Sequence, residues 1–280
     1  MTAIDIRTSD NIMEVERVQG QCRVTRSLAV PPVRFVQPHA ESDAVWVFVS
    51  AFGGGMLEGD DYRFDIKCRE TAKLIFSPQA NTRIFPCPNG KMTRQSVRGT
   101  VYAQGLVVTG GDPVVLYAGS RFSQSQHWTL HPQARLVLMD WLVVGRLDRG
   151  ERFAFEGYEN DLRVENEKGH PLLLDRLSLE PEERGMGGFA SHLAVHILGP
   201  GWENLKTELD AWLKTPGKEK SQPAWKAAGI LAGTGMREET GFSLRALGEN
   251  RESLEPLVGK LFALLGSAEW LGFDPWLRKY

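Results

Sequence analysis

The dominant hydrophobic period of the chain is two. Tyr62, Phe64, Ile66 and Cys68 alternate with Arg63, Asp65 and Lys67, which places the apolar set on one face of a strand and the charges on the other. The same alternation returns at Leu193, Val195 and Ile197 and at Phe242, Leu244 and Ala246. Residues 45–49, 136–144 and 172–177 are more continuously apolar, the pattern of strands covered on both faces. Gly53-Gly54-Gly55, Pro86-Cys87-Pro88-Asn89-Gly90, Gly110-Gly111-Asp112-Pro113 and Lys168-Gly169 separate these runs with the residue types that turns require. Many short strands joined this way predict a mostly-β fold, either a sandwich or a β-solenoid-like stack. No sequence repeat of fixed period accompanies them, so a regular solenoid does not follow from the sequence.

Helical periodicity appears late, in the C-terminal third. Trp202, Leu205, Leu209, Trp212 and Leu213 fall on one face, with Gly201 breaking the chain just before them. Leu254, Leu257, Val258, Leu261, Phe262 and Leu265 do the same. For this second helix Ser253 is the expected cap, Pro256 lies in the tolerant first turn and Gly266 is the expected stop. Between the two helices, residues 214–223 are polar with Pro and Gly and read as an exposed loop. The order, strands first and helices after, predicts helices that cover part of a β body.

Composition acts mainly by exclusion. The 280 residues carry 33 Lys and Arg against 35 Asp and Glu, so no strongly basic surface argues for nucleic acid. The longest uninterrupted apolar run, residues 44–49, is far shorter than a bilayer span. The opening residues lack the apolar core of a secretory signal. Three cysteines, Cys22, Cys68 and Cys87, with no CxxC, point to reduced thiols and a cytoplasmic location. Cys68 alternates into an apolar face and reads as core. Cys87, between two prolines, is expected to be exposed.

The recognisable catalytic motifs are missing. The stretch from Gly53 to Asp61 lacks the Lys-Ser/Thr of a phosphate-binding loop, and a strand pattern follows it, so it reads as a tight turn with Asp60 near its end. His127 and His131, like His192 and His196, are four apart. In strands that is about 13 Å, too far to share one metal ion. There is no GxSxG and no SxxK. What stands out are polar residues inside apolar runs. Asp140 interrupts 136–144, Asp175 and Arg176 follow Leu172 to Leu174, and Arg146 and Glu151 follow the first of these runs. A buried carboxylate must be paired, hydrogen-bonded or metal-bound. Pairing of Asp140 or Asp175 with Arg146 or Arg176 is one reading; a polar seam or hydrated passage within the β body is the other.

Several segments, in order, resemble the UreD (UreH) family of urease accessory proteins. They are the Gly-rich turn from Gly54 to Asp60, Ser77 to Arg83 with Gln79, Asp112-Pro113 on to Arg121, residues 136–151 with Arg146, residues 162–181 with Arg176, residues 189–198 and the last helix. The resemblance spans about residues 10–270 and implies one domain over 1–280, with Gln79, Arg83, Asp112, Arg121, Arg146 and Arg176 as the family-motif polar residues. It implies a non-enzymatic scaffold and nickel-handling chaperone that assembles with UreF and the GTPase UreG on apo-urease. It also implies a β-rich stack with two helices and no tightly held cofactor. A carrier that passes nickel on is served by carboxylates and waters rather than a closed His/Cys cage, and Asp60, Asp140, Glu151 and Asp175 are the candidates for such a passage. The competing reading is a β-sandwich module that binds carbohydrate, motivated by eight tryptophans, although Trp141, Trp202 and Trp212 read as core.

Overall fold

The computed structural model describes residues 10–38, 42–181, 186, 188–214, 225–231 and 241–278. The strands are β1 (Asn11–Val18), β2 (Gln21–Leu28), β3 (Val33–Val36), β4 (Val45–Ala51), β5 (Asp61–Cys68), β6 (Lys73–Pro78), β7 (Thr82–Ile84), β8 (Thr93–Val101), β9 (Leu106–Thr109), β10 (Val114–Leu116), β11 (Arg121–Leu130), β12 (Arg135–Val143), β13 (Gly157–Asn166), β14 (Pro171–Leu179), β15 (Ser191–Leu198), β16 (Trp225–Leu231) and β17 (Gly241–Gly248). The helices are α1 (Glu203–Lys214) and α2 (Glu255–Leu265). The fold is thus mostly β with two late helices, as the sequence pattern predicts.

Two sheets face each other. A seven-stranded sheet has the order β14-β13-β11-β8-β5-β1-β2, and a ten-stranded sheet runs β16-β17-β15-β12-β9-β6-β4-β3, with β10 pairing β12 and β7 pairing β10. From β4 to β13 the chain passes back and forth between them. β5, β8, β11 and β13 lie parallel in one sheet, and β4, β6, β9 and β12 lie parallel in the other. That is β-solenoid-like stacking, finished at its ends by antiparallel strands. The coils are unequal: successive strands of the first sheet begin at residues 61, 93, 121 and 157, so no fixed period reaches the sequence.

The covering of each sheet sets its pattern. The outer face of the seven-stranded sheet meets water, so β11 alternates buried and exposed positions along its length. The ten-stranded sheet is covered by the first sheet on one side and the helices on the other, and every residue of β12 after Arg135 is buried. The core between the sheets includes Met13, Phe64, Ile66, Phe122, Trp128 and Leu136. The core under the helices includes Trp46, Val137, Trp141, Trp202, Leu209 and Phe262. Trp128 lies level with Gly99 of β8. A Cβ at Gly99 would stand 2.0 Å from its ring, so only glycine lets the indole lie flat on the neighbouring strand.

Several expectations change. Residues 172–177 belong to β14, an edge strand in which Leu174 is 57% exposed, rather than a strand covered on both faces. Ser253 does not cap α2. Its backbone N–H and hydroxyl both bond Asn250 Oδ1, and Leu254 holds the cap position without a side-chain bond. Cys87 is buried, not exposed. The Pro-rich turn folds inward, so its thiol meets Thr93 and accepts from the Arg121 N–H. Cys68 is buried as expected. The expected loop at 214–223 lies outside the described residues except for Lys214, which ends α1. No described helix is long and apolar enough to cross a membrane.

Candidate functional site

The space between the sheets should be filled by apolar side chains, and for most of its extent it is. At one end the inward positions turn polar. β11 sends in Phe122, Gln124, Gln126, Trp128 and Leu130, all buried. β13 sends in Tyr158, Asn160, Leu162 and Val164. From the facing sheet, β12 sends in Leu136, Leu138, Asp140 and Leu142. Asp140 therefore meets three amides. Its Oδ1 accepts from Gln124 Nε2 at 2.9 Å and Gln126 Nε2 at 2.8 Å, and its Oδ2 accepts from Asn160 Nδ2 at 3.2 Å. Gln126 is itself fixed by Trp128, whose indole N–H donates to Oε1 at 3.2 Å. Among the described residues no arginine bonds Asp140, and Arg146 and Arg176 pair elsewhere, which corrects the expectation of an ion pair with either. Burial pushes the carboxyl above its ordinary range, opposed by nearby His196 and by the amide bonds. Burial and the two carboxylates, Asp140 and Asp175, likewise raise the Tyr158 phenol well above its usual value.

Toward the edge of the sandwich lies a second cluster, formed where β14 faces β15 and β17. His196 Nε2 lies 2.9 Å from Asp175 Oδ2, and its Nδ1 lies 2.7 Å from Ser243 Oγ. Arg245 donates to Asp175 Oδ1 at 2.5 Å. Asp175 is thus paired with Arg245 and His196, not with Arg146 or Arg176. Burial alone would raise its carboxyl, but the hydrogen bonds from His196 and Arg245 outweigh this and hold it far below the usual carboxylate range. Neighbouring His192 is pushed down to about 4, by burial first and then by Arg245. His196 acts on Asp140 as well as on Asp175, so the two clusters form one electrostatic seam.

On the other side of Asp140 a cavity of about 220 Å³ runs between the sheets. Gln124, Gln126, Asp140 and Tyr158 line it together with Gln95 and Phe64. Gly54, Gln79 and Ala80 line it too and are exposed, which marks its mouth, with Asp112 alongside.

The remaining sequence candidates lie apart from the seam. Asp60 closes the turn before β5, accepting from the Leu57 N–H at 2.8 Å and the Tyr62 hydroxyl at 3.0 Å. Glu151 accepts from Arg146 Nε at 2.7 Å and from the Ala118 N–H. Arg146 also lies over the Tyr117 ring, 4.1 Å from its centre. Arg121 stands 3.8 Å from Glu156. Arg176 points outward from β14 to Asp161 at 2.7 Å. The Arg83 carbonyl accepts from the Met56 N–H beside the Gly-rich turn. The structure thus brings together Gln79, Asp112 and Asp140 around the cavity and adds Asp175 through His196. Gln124, Gln126, Asn160, Ser243 and Arg245 were not singled out from the sequence, and His196 entered there only as one of a pair too far apart to share a metal ion. The first two carried a usable signal, since they share a period-two face with Phe122, Trp128 and Leu130.

Among the described residues, no three of His, Cys, Asp and Glu gather closely enough to hold a metal ion. His127 pairs with Glu165 at 3.0 Å, and His131 lies 3.9 Å from Glu167. Trp46, Trp128, Trp141, Trp202, Trp212, Trp270 and Trp276 are buried or half-buried, which leaves the carbohydrate reading without a stacking platform among these seven.

Fold and seam together define a β-solenoid-like stack whose largely apolar core carries a polar seam at one end. Comparison with known proteins places it further. The family model described as UreD urease accessory protein matches residues 10–278. A urease accessory protein UreD of Cytophaga hutchinsonii is 33% identical over 96% of this chain and 97% of its own length. One from Sorangium cellulosum is 33% identical over 94% of this chain and 82% of its own, and urease accessory protein D of Arabidopsis thaliana is 30% identical over 59% and 58%. The chain belongs to the UreD family of urease accessory proteins.

Proposed function

We propose that this chain is a non-enzymatic, single-domain scaffold that assembles in the cytoplasm with a UreF-like protein and a UreG-like GTPase on the urease apoprotein and conducts nickel toward its active site. Family membership supplies the frame, and one observation carries the mechanism: Asp140 lines the cavity between the sheets, and its carboxylate accepts hydrogen bonds from three side-chain amides. Nickel is cargo here, not a resident cofactor. Dispersed oxygen donors bind it less tightly than a cage of imidazole and thiolate, so it can be released again. The amides of Gln124, Gln126 and Asn160 hold the Asp140 side chain in place at the cavity wall, where an approaching cation would favour its ionised form against the effect of burial. GTP hydrolysis falls to the partner, since the Gly-rich turn lacks the residues that hold a phosphate.

The test replaces Asp140 with Asn in cells that make urease. The complex with the UreF-like partner should still form in a pull-down, while nickel bound per purified urease falls several-fold. Normal nickel loading would reject the passage.

A further inference from the structure

Most of the wall of the cavity between the sheets is apolar, more than the transit of a hydrated ion requires. Met56, Phe64, Ile66 and Phe76 line it and are buried, and the rings of Phe64 and Phe76 meet edge to face with centres 5.7 Å apart. We infer that this cavity is also a binding site for a small organic amine with an aromatic body, the ring lying among these side chains and the ammonium meeting Asp140 and Tyr158. The inference stands on the cavity itself and does not rest on nickel transport.

The polar groups of the cavity gather at the Asp140 end, and some are unspent. Tyr158 is 3% exposed and lines the cavity, yet its hydroxyl has no hydrogen-bond partner among the described residues. The charge of Asp140 bears on that phenol, so hydroxyl and carboxylate share one end. The side-chain amide of Gln95 is likewise unpartnered among the described residues, and it stands level with Gln124 on the neighbouring strand. Among the described residues Asp140 Oδ2 accepts only from Asn160, whereas Oδ1 already accepts from two amides. A carboxylate oxygen has two lone-pair sites, so Oδ2 can accept once more. A buried polar group without a partner is costly, and an apolar pocket with a few such groups converging in it has the form of a ligand site.

These groups select the ligand. An ammonium offers donors and no acceptor. It can donate to Asp140 Oδ2 and to the Tyr158 oxygen, and its charge favours the ionised carboxylate against burial. A carboxylate in the same place would meet Asp140 as a like charge. The aromatic wall accepts a ring edge to face. Size agrees: an apolar cavity of about 150 Å³ takes up benzene, so one of about 220 Å³ holds a ring with a short alkyl arm. The exposed residues Gly54, Gln79 and Ala80 at the mouth give the ligand its entry.

The experiment titrates 2-phenylethylamine into the purified full chain, carried on a soluble fusion partner, and follows binding by saturation-transfer NMR. The dissociation constant should be about 1 mM or below. 3-Phenylpropanoate, which carries a carboxylate in place of the ammonium, should bind at least about tenfold more weakly. Asp140→Asn should weaken amine binding by about tenfold and Tyr158→Phe by about threefold. No saturable signal at about 10 mM amine means that the cavity holds water only, and it overturns the inference. So does an affinity that Asp140→Asn leaves unchanged, which would place the amine elsewhere. Should Asp140→Asn fail to fold, the parent decides: preference for the amine over the acid, lowered in Tyr158→Phe, supports the site, and equal binding of the two overturns it. The titration reads this chain without metal or partner, so its failure leaves the urease-loading test of Asp140 standing. Normal nickel loading in that test, with amine binding here, would retire the passage and keep the site.

Discussion

Asp140 and Asp175 are both carboxylates between the sheets, yet their removal should cost different amounts. In Asp140→Asn the new amide can place its oxygen where Oδ1 stood and keep both glutamine donors. Its NH₂ then meets Asn160 Nδ2, donor against donor. Asn160 can turn its amide, but its Oδ1 already accepts from Gln124 at 3.3 Å, so one bond of the network is lost either way. An unsatisfied buried polar group costs about 1–3 kcal/mol, and removing a desolvated carboxyl, already pushed toward its neutral form, offsets part of that.

Asp175→Asn is different because it strands Arg245 and the buried His196. Breaking a buried pair costs about 3–5 kcal/mol; the partial exposure of Arg245 places this one near about 3 kcal/mol. Urea denaturation of the two variants beside the parent measures the difference, with equal slopes showing that the same surface unfolds. Asp140→Asn should lie closer to the parent than Asp175→Asn does. If Asp140→Asn is the costlier change, the amide network is not what satisfies Asp140 and the argument fails.

Three further outcomes follow from the same geometry. Gly99→Ala forces a Cβ into the Trp128 ring and should destabilise by at least about 1–3 kcal/mol, whereas Gly157→Ala meets nothing within 4 Å and should be near neutral; equal urea midpoints would refute the packing argument. His192 binds a proton near its ordinary value in the unfolded chain but only at about 4 when folded, so the unfolded state takes up protons first and stability should fall as the pH drops from about 6.5 toward 4. His192→Gln should flatten that decline, measured as urea midpoints against pH, and an unaltered slope would count against it. Cys68 and Cys87 are buried and Cys22 half-buried, so a thiol reagent should label Cys22 first in the folded protein; rapid labelling of Cys87 would contradict its inward fold.

How much of this was legible in the sequence depends on which sheet a residue belongs to. In the seven-stranded sheet one face meets water, and the period of two separates inside from outside. The alternation of 62–68 is reproduced in β5, with all four apolar residues buried. Gln124 and Gln126 were readable there as amides on an apolar face. In the ten-stranded sheet both faces are covered, so alternation no longer marks depth. Leu193, Val195 and Ile197 of β15 and Phe242 and Leu244 of β17 pack under the helices. The residues between them, His196, Ser243 and Arg245, look like an ordinary polar face but point toward the first sheet.

Asp175 and Arg176 show the same limit from the other side. They are adjacent, so a strand must send them to opposite faces, and only one can enter the seam. The partners decide which. Leu173, Leu177 and Leu179 accompany Asp175 into the core between the sheets, whereas Arg176 pairs across the outer face with Asp161 of β13. The sequence pairing of Asp175 with Arg176 was therefore excluded by the strand period itself. The partner it does have, Arg245, is seventy residues away along the chain and becomes a neighbour only when the edges of the two sheets meet. A carboxylate inside an apolar run announces that a polar partner exists; the closure of the sandwich determines that the partner is a cation at the edge for Asp175 and three amides in the interior for Asp140.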